Sequence, residues 1–352
     1  MANTYKKAGV NIDAGEEVVQ RIKKSVRSTF TKNVLTDIGM FGAFYEAKFP
    51  KLKEPVLVSS VDGVGTKLKI AFAMKRYDTV GQDLVNHCVN DIAVCGAVPL
   101  YFMDYFATGK LAPTVAENVI NGFAKACKEN SCSIIGGETA EMPGFYPAGE
   151  FDIAGTIVGV VDKKKIVNGK SIKKGDVLIG LPSAGLHTNG YSLARHVLIP
   201  KISLKKKFTE LNGTLGDALL AVHRSYLKPI QVVTSKNLAK GMSHITGGGI
   251  IGNTMRILPK GLKLNIDWFA WQRPFIYDLI QSVGQVPEYD MTRTFNLGVG
   301  LIFIVDKKNV DAVIRLLKNK KAVPTQRVES STGRSRRTPS EQEKPFVMGE
   351  VV

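Results

Sequence analysis

No apolar run in this chain of 352 residues approaches the roughly 20 that a membrane-spanning helix needs. The opening MANTYKKAGVNIDAGEE has no hydrophobic leader core and too many acids for a transit peptide, so a soluble protein is expected. Cysteine is scarce. Cys88, Cys95, Cys127 and Cys132 form no C-x-x-C pair, which argues against a zinc ribbon or a disulfide framework and for reduced packing thiols in a cytoplasmic enzyme. No G-x-x-x-x-G-K-[ST] occurs, nor a G-x-G-x-x-G after a strand, which excludes P-loop and Rossmann nucleotide sites. Acids are outnumbered 31 to 48, leaving a net charge of +17 that raises a nucleic-acid reading. The bases are scattered, however, over Lys163–Lys165, Lys173–Lys174, Lys205–Lys207 and a late RSRR. No aromatic residues interleave with them as a stacking surface requires. The charge is read as solvated surface that also attracts a phosphorylated substrate.

What the chain does have centres on Thr79 to Lys110. Leu84, Cys88, Ile92 and Cys95 recur at helical spacing, so one face of a helix opening near Thr79 packs inward. Asp83, His87 and Asp91 form a second stripe, flanked by Asn86 and Asn90; alone it reads as a solvated polar face. Gly96 ends the helix and Pro99 prevents its return. Asp91 then sits near a helix C-terminus, where a carboxylate costs about 0.3–1 kcal/mol and a bound cation reverses the sign.

Glycines meet acids at several strand ends. PVLVSSV, Pro55 to Val61, runs into DGVGTK: Asp62 suits a hard cation, Gly63 exposes an N–H group and Lys67 supplies a positive charge, although a hairpin turn fits equally well. Gly39 and Gly42 form a loop whose backbone can approach a phosphate. After an amphipathic helix over Pro113–Glu129, a strand from Cys132 ends in GGETAEMPG, bringing Glu138 and Thr139 to a strand end. Phe151–Val161 is a further strand, and the charged stretch Asp162–Lys174 reads as a connector. The expected organisation is α/β in two domains, 1–163 and 164–352. Beyond the connector, GLHTNGYSL sets His187 in a glycine-flanked loop before a helix, with Asn189 beside it. HITGGG opens another helix, Trp268 and Trp271 read as core, and PFVMGEVV reads as a final edge strand. His223 and His196 are expected on the surface or in packing, His87 stays open, and 329–344 is expected to be a disordered loop.

DGVGTK, the pattern Asp91-x4-Gly96-Ala97-x-Pro99, GGETAEMPG, GLHTNGYSL, HITGGG and RTFN-x-GVG appear in this order. Together with YKKAGVNIDAG they resemble the phosphoribosylformylglycinamidine cyclo-ligases of purine biosynthesis, from Tyr5 to about Pro324 and again from Phe346. The resemblance implies a two-domain fold whose N-terminal sheet pairs with a second subunit's into a dimer β-barrel. It implies ATP-dependent ring closure of formylglycinamidine ribonucleotide through an iminophosphate. ATP and Mg2+ are the implied cofactors, with a monovalent cation as a further candidate, and no nucleic acid or membrane partner. It assigns Asp62, Asp91 and Glu138 to the metal, Lys23 and Lys67 to phosphates, and His187 to proton transfer or phosphoryl stabilisation with Asn189 beside it. Where the family carries cysteine this chain has Leu297, so no thiol chemistry is expected there. The competing readings are another small-molecule kinase of the same superfamily and a basic nucleic-acid-binding protein.

Overall fold

A computed structural model describes residues 4–318 and 344–352, so the expected loop over 329–344 lies outside the described residues except for its last residue, Lys344. The chain builds two sheets in succession. The first contains β1 (Pro55–Gly63), β2 (Val98–Thr108), β3 (Ser133–Glu141) and β4 (Phe151–Asp162) in the order β1-β4-β2-β3. β1 and β2 run antiparallel to β4, whereas β2 and β3 are parallel. A parallel pair needs a crossover, and a helix over Pro113–Glu129 provides it. β5 (Val177–Pro182) opens the second half, and β6 (Lys207–Phe208) and β7 (Gly213–Thr214) make a short hairpin. The second sheet combines β5 with β8 (Ala239–His244), β9 (Leu264–Ile266), β10 (Val299–Val305) and β11 (Phe346–Val351), in the order β8-β10-β5-β11-β9. β11 is therefore not the edge strand expected from its place in the chain. It lies between β5 and β9, and sequence position says nothing about which strands flank it.

Four helices cover the first sheet's side of the molecule: α1 (Ile12–Arg27), α2 (Leu68–Met74), α3 (Asp78–Ala93) and α4, the crossover helix. DGVGTK is not a hairpin: β1 ends at Gly63 and the chain turns through a short 3-10 segment, Gly65–Lys67, into α2. α3 begins where the periodicity places it, and Gly96 follows with φ +89°, a backbone that glycine adopts without strain. Where α3 meets α4, side chains would intrude. A Cβ on Gly81 would stand 2.2 Å from the Val119 carbonyl oxygen, and one on Gly122 2.2 Å from that of Asp78.

The stripe read as a solvated face is largely buried, with only Asp91 partly exposed. Asp83, Asn86, His87 and Asn90 are all buried on α3. The groups that satisfy them come from the other half of the chain. Asp83 accepts from the His223 N–H at 2.6 Å, Asn86 donates to the His223 carbonyl at 2.7 Å, and Asn90 accepts from the Tyr226 N–H at 2.7 Å and donates to the Arg224 carbonyl at 2.9 Å. α3 thus forms the seam between the two halves. Trp268 and Trp271 pack against a smaller apolar cluster under the second sheet, as expected of core residues. Among the described residues no helix is long and apolar enough to cross a membrane.

Candidate active site

Four of the five histidines meet at this seam. His87 and Asp91 lie one turn apart on α3, and Asp62 reaches them from the end of β1. His87 Nε2 is 3.0 Å from Asp62 Oδ2 and 3.7 Å from Asp91 Oδ2. His244, the last residue of β8, places Nδ1 2.7 Å from Asp91 Oδ1. Its Nε2 lies 2.9 Å from His223 Nε2, and the Thr188 hydroxyl joins His223 Nδ1 (3.3 Å) to His87 Nδ1 (2.7 Å). The histidines and Thr188 therefore link one carboxylate to the other: Asp62, His87, Thr188, His223, His244, Asp91.

Donor and acceptor counting fixes the protonation of this path. Both ends are acceptors, so His87 and His244 each donate outward, to Asp62 and Asp91. A proton on every link between them requires one imidazolium among the three rings, although Asn90 Nδ2, 3.3 and 3.5 Å from the Nε2 atoms of His223 and His244, offers those two a donor without it. Burial opposes charge on His87, but its hydrogen bond to Asp62 and the charges of Asp91 and Asp62 outweigh that, and its pKa is raised. Burial outweighs the Asp91 hydrogen bond at His244, whose pKa is lowered. For His223, burial and then the neighbouring His187 and His244 push the pKa well below 6.5. Of the three rings, His87 is the one whose surroundings favour the imidazolium. For Asp91, burial raises the pKa, but the hydrogen bond and charge of His244 prevail and hold it below the usual carboxylate value.

His187 occupies the position the sequence singled out, with a left-handed backbone at φ +62° flanked by Gly185 and Gly190. It is buried and stacked on His223, with ring centroids 4.0 Å apart and planes 19° from parallel. The Ala184 N–H donates to its Nε2 at 3.1 Å, so Nδ1 carries the hydrogen and finds no hydrogen-bond partner. Burial and then the charge of His244 depress its pKa well below 6.5, leaving it neutral at pH 7. Asn189 is half-buried next to it, its Nδ2 3.4 Å from Thr188 Oγ1.

Lys67 is a correction. It was expected to contact phosphate, yet its ammonium is fully buried, 2.7 Å from Asp83 Oδ2, and donates to the carbonyls of Ala221 (2.7 Å) and His187 (3.1 Å). All three donors are spent on holding the His187 loop against α2 and α3. Glu138 is exposed on β3, away from the histidines of the seam. Thr139 follows it, half-buried on β3. The Gly63 N–H turns onto its neighbour Asp62, at 3.1 Å from Oδ1. Lys23 stands apart on α1, 3.6 Å from Asp37, a carboxylate also held by Arg27. These two pairs anchor the exposed loop that carries Gly39 and Gly42. Leu297, where thiol chemistry was excluded, is fully buried.

Two carboxylates flanked by imidazoles fit a divalent cation, and the charge logic of Asp91 at a helix end supports it. His223 is the residue that sequence reasoning missed, for it follows no glycine loop or acidic motif. His244, just before the glycines of HITGGG, was given no role either; the glycine-flanked loop was the signal available, and it found His187.

A two-domain chain with its polar cluster at the seam is of the AIR synthase related class. The model of the AIR synthase related protein N-terminal domain matches residues 47–161, and that of the C-terminal domain residues 173–326. A phosphoribosylformylglycinamidine cyclo-ligase of Thermoanaerobacter pseudethanolicus is 53% identical over 89% of this chain and 93% of its own length. The enzyme of that name from Bacillus cytotoxicus is 50% identical over 90% and 92%. This chain belongs to the phosphoribosylformylglycinamidine cyclo-ligase family. Solved structures share the fold at much lower identity. Thiamine-monophosphate kinase from Stenotrophomonas maltophilia is 15% identical with a TM-score of 0.66, covering 95% of this chain and 93% of its own. The hydrogenase maturation protein HypE in complex with ATP is 15% identical with a TM-score of 0.59, covering 96% and 86%.

Proposed function

We propose that the chain closes formylglycinamidine ribonucleotide to 5-aminoimidazole ribonucleotide at the expense of ATP, releasing ADP and phosphate. The observation that carries this reading is the identity of about half of all residues with named cyclo-ligases, which runs through both halves and so includes the seam. The chemistry requires activation of an amide carbonyl, whose oxygen leaves poorly until it is phosphorylated. The γ-phosphoryl group passes to that oxygen, the amidine nitrogen attacks the carbon, and the C–O bond breaks with phosphate departing.

Asp62 and Asp91 would hold the divalent cation, Mg2+ on the family's pattern, which when bound neutralises phosphate charge and orients the transfer. His187, neutral and with an unpaired Nδ1–H, is suited to hydrogen-bond a developing oxyanion rather than to act as a cation. His244, hydrogen-bonded to Asp91, holds that carboxylate ionised. Lys23 and the Gly39–Gly42 loop, on the solvent side, are the phosphate-facing elements of the reading.

The active form is a homodimer in this reading. Leu57 and Val61 on β1, with Met103 and Tyr105 on β2, are exposed on the outer face of the first sheet, an apolar set that a second copy would cover. The test is parallel measurement of ADP and aminoimidazole ribonucleotide with magnesium ATP, with and without formylglycinamidine ribonucleotide. Equal appearance of both, dependent on that substrate, is expected; ATP binding without either product points to a sister kinase of the fold.

A further inference from the structure

His187 has a backbone that costs free energy. A non-glycine residue at φ +62° persists in the left-handed region only where its surroundings over-determine it. Lys67 supplies one restraint, through the His187 carbonyl. The others come from RTFN-x-GVG, a motif to which the reaction gives no task.

Asn296 of that motif is buried, and its Nδ2 donates to the Gly185 carbonyl at 3.0 Å, two residues before His187. Tyr277 Oη, on the helix over Phe275–Gly284, lies 2.8 Å from the same carbonyl and 2.5 Å from Asn296 Oδ1. Ser183 Oγ lies 2.9 Å from the Gly185 carbonyl and 3.0 Å from Asn296 Oδ1, and the Gly298 N–H donates to Asn296 Oδ1 at 2.9 Å. The counting closes. One Asn296 N–H, the Gly298 N–H and two hydroxyls bring four hydrogens to two oxygens that offer four lone pairs. The turn carrying Asn296 is held in its own right. Leu297 and Gly298 have left-handed backbones at φ +49° and +97°, and the Trp271 indole donates to the Leu297 carbonyl at 2.9 Å.

A second observation comes from the far end of the motif. Gly300 on β10 faces the His187 ring: a Cβ there would stand 2.7 Å from His187 Cε1 and run into the Tyr226 hydroxyl. One motif thus restrains the loop's backbone through Asn296 and leaves room for its ring through Gly300. The restraint bears on a proton. His187 carries its hydrogen on Nδ1 because the Ala184 N–H donates to Nε2, and Ala184 lies between Ser183 and Gly185, the two residues bonded to Asn296.

We propose that Asn296 and Tyr277 are positioning residues for His187. They fix the Ser183–Gly185 backbone so that the Ala184 N–H holds Nε2 and the Nδ1 hydrogen points at the substrate. The inference rests on the role given to His187 in the proposed reaction.

The test is a kinetic cycle read beside nitrogen-15 spectra of histidine-labelled protein, in which the His187 ring is the signal lost in His187→Ala. In the wild type at pH 7.5 that ring should be the Nδ1–H tautomer. Asn296→Ala should move it toward the Nε2–H form and lower kcat about 10–100-fold, with KM for ATP and for formylglycinamidine ribonucleotide nearly unchanged. Tyr277→Phe removes one oxygen and should act in the same direction by about 2–10-fold; it keeps the test open if Asn296→Ala does not melt cooperatively. Within His187→Ala, either substitution should change kcat by less than about twofold, since the group it acts through is gone. An equal loss of kcat in both backgrounds, or a His187 tautomer that neither substitution moves, overturns the proposal. The tautomer is read without turnover, so the two readings fail separately. A tautomer shift in a protein whose wild type does not cyclise the substrate sinks the reaction alone, and cyclisation with an unmoved tautomer sinks the positioning alone.

Discussion

His187 and His223 are both buried and held neutral, whereas in the unfolded chain each takes an ordinary value near 6.5. The folded state then binds fewer protons than the unfolded one below that pH, so stability is lost as pH falls through 6.5. Each residue contributes about 1.4 kcal/mol per pH unit in that range. His87 works in the opposite sense: with its folded pKa raised, its stabilisation is complete below the unfolded value and fades as pH rises through the folded one. Calorimetry between pH 7.5 and 5 should show the melting temperature falling below pH 6.5, with a shallower fall in His223→Gln. An unchanged slope in that variant would remove His223 from the titration. Asp91→Asn should lower turnover by about 10²–10³-fold with the fold retained, since a preorganised charge is lost at the reacting end; a rate near wild type would take Asp91 out of the site. Lys67 and Asp83 carry a structural role. Burial pushes the lysine pKa down and the aspartate pKa up, and each charge is held by the other. Lys67→Met leaves Asp83 buried and unpaired, an expected cost of about 3–5 kcal/mol, and adding Asp83→Leu should recover most of it in denaturant titration.

At the scale of elements, α3 is both core helix and carrier of the site, and its position is set by glycine. Gly81 and Gly122 let α3 and α4 approach until backbone meets backbone. Gly81→Ala is good helix chemistry in isolation, worth up to about 1 kcal/mol. Here its methyl would stand 2.2 Å from the Val119 carbonyl oxygen, so α3 must move. Overpacking of this kind costs about 1–3 kcal/mol, and the displacement carries Asp83, His87 and Asp91 with it. The variant should therefore lose turnover as well as stability; full activity at reduced stability would mean that the seam tolerates a shifted α3. The limits of α3, α4, β1 and β4 were legible because period and punctuation are local, whereas β3 runs on through the glycines to Glu141. The burial of the polar stripe of α3 was not, because the carbonyl and N–H groups that satisfy Asn86, Asn90 and Asp83 come from residues 223–226, more than a hundred positions away. His187 could be found from its glycines. His223 could not, since a histidine becomes part of a cluster only when the fold brings the others to it. For Lys67 the motif identified the place but not the partner, and the partner decides whether a lysine faces phosphate or holds a loop.

The whole molecule carries +17, spread over its surface, and an enzyme handling nucleotides and a ribonucleotide would draw both electrostatically. The expected signature is a fall of kcat/KM with ionic strength while kcat stays nearly constant, because screening acts on encounter. Assembly is the larger question at this scale. Helices cover one face of the first sheet, while along β1 the outward positions Leu57 and Val61 are 61% and 67% exposed, with Met103 and Tyr105 continuing the face on β2. Singly exposed apolar residues are ordinary; four on one sheet face, with no element of the described residues packed over them, are what a self-complementary interface requires. Two copies related by a two-fold axis would cover these positions mutually, and Asp62 at the end of β1 would then lie close to the interface. Leu57→Glu together with Val61→Glu places four like charges across that axis and should reduce the mass in light scattering from twice 38.3 kDa to the single value. Turnover should fall with it. A double variant that still elutes as a dimer would move the interface elsewhere, and a wild-type protein with the mass of one chain would leave the apolar face without an occupant.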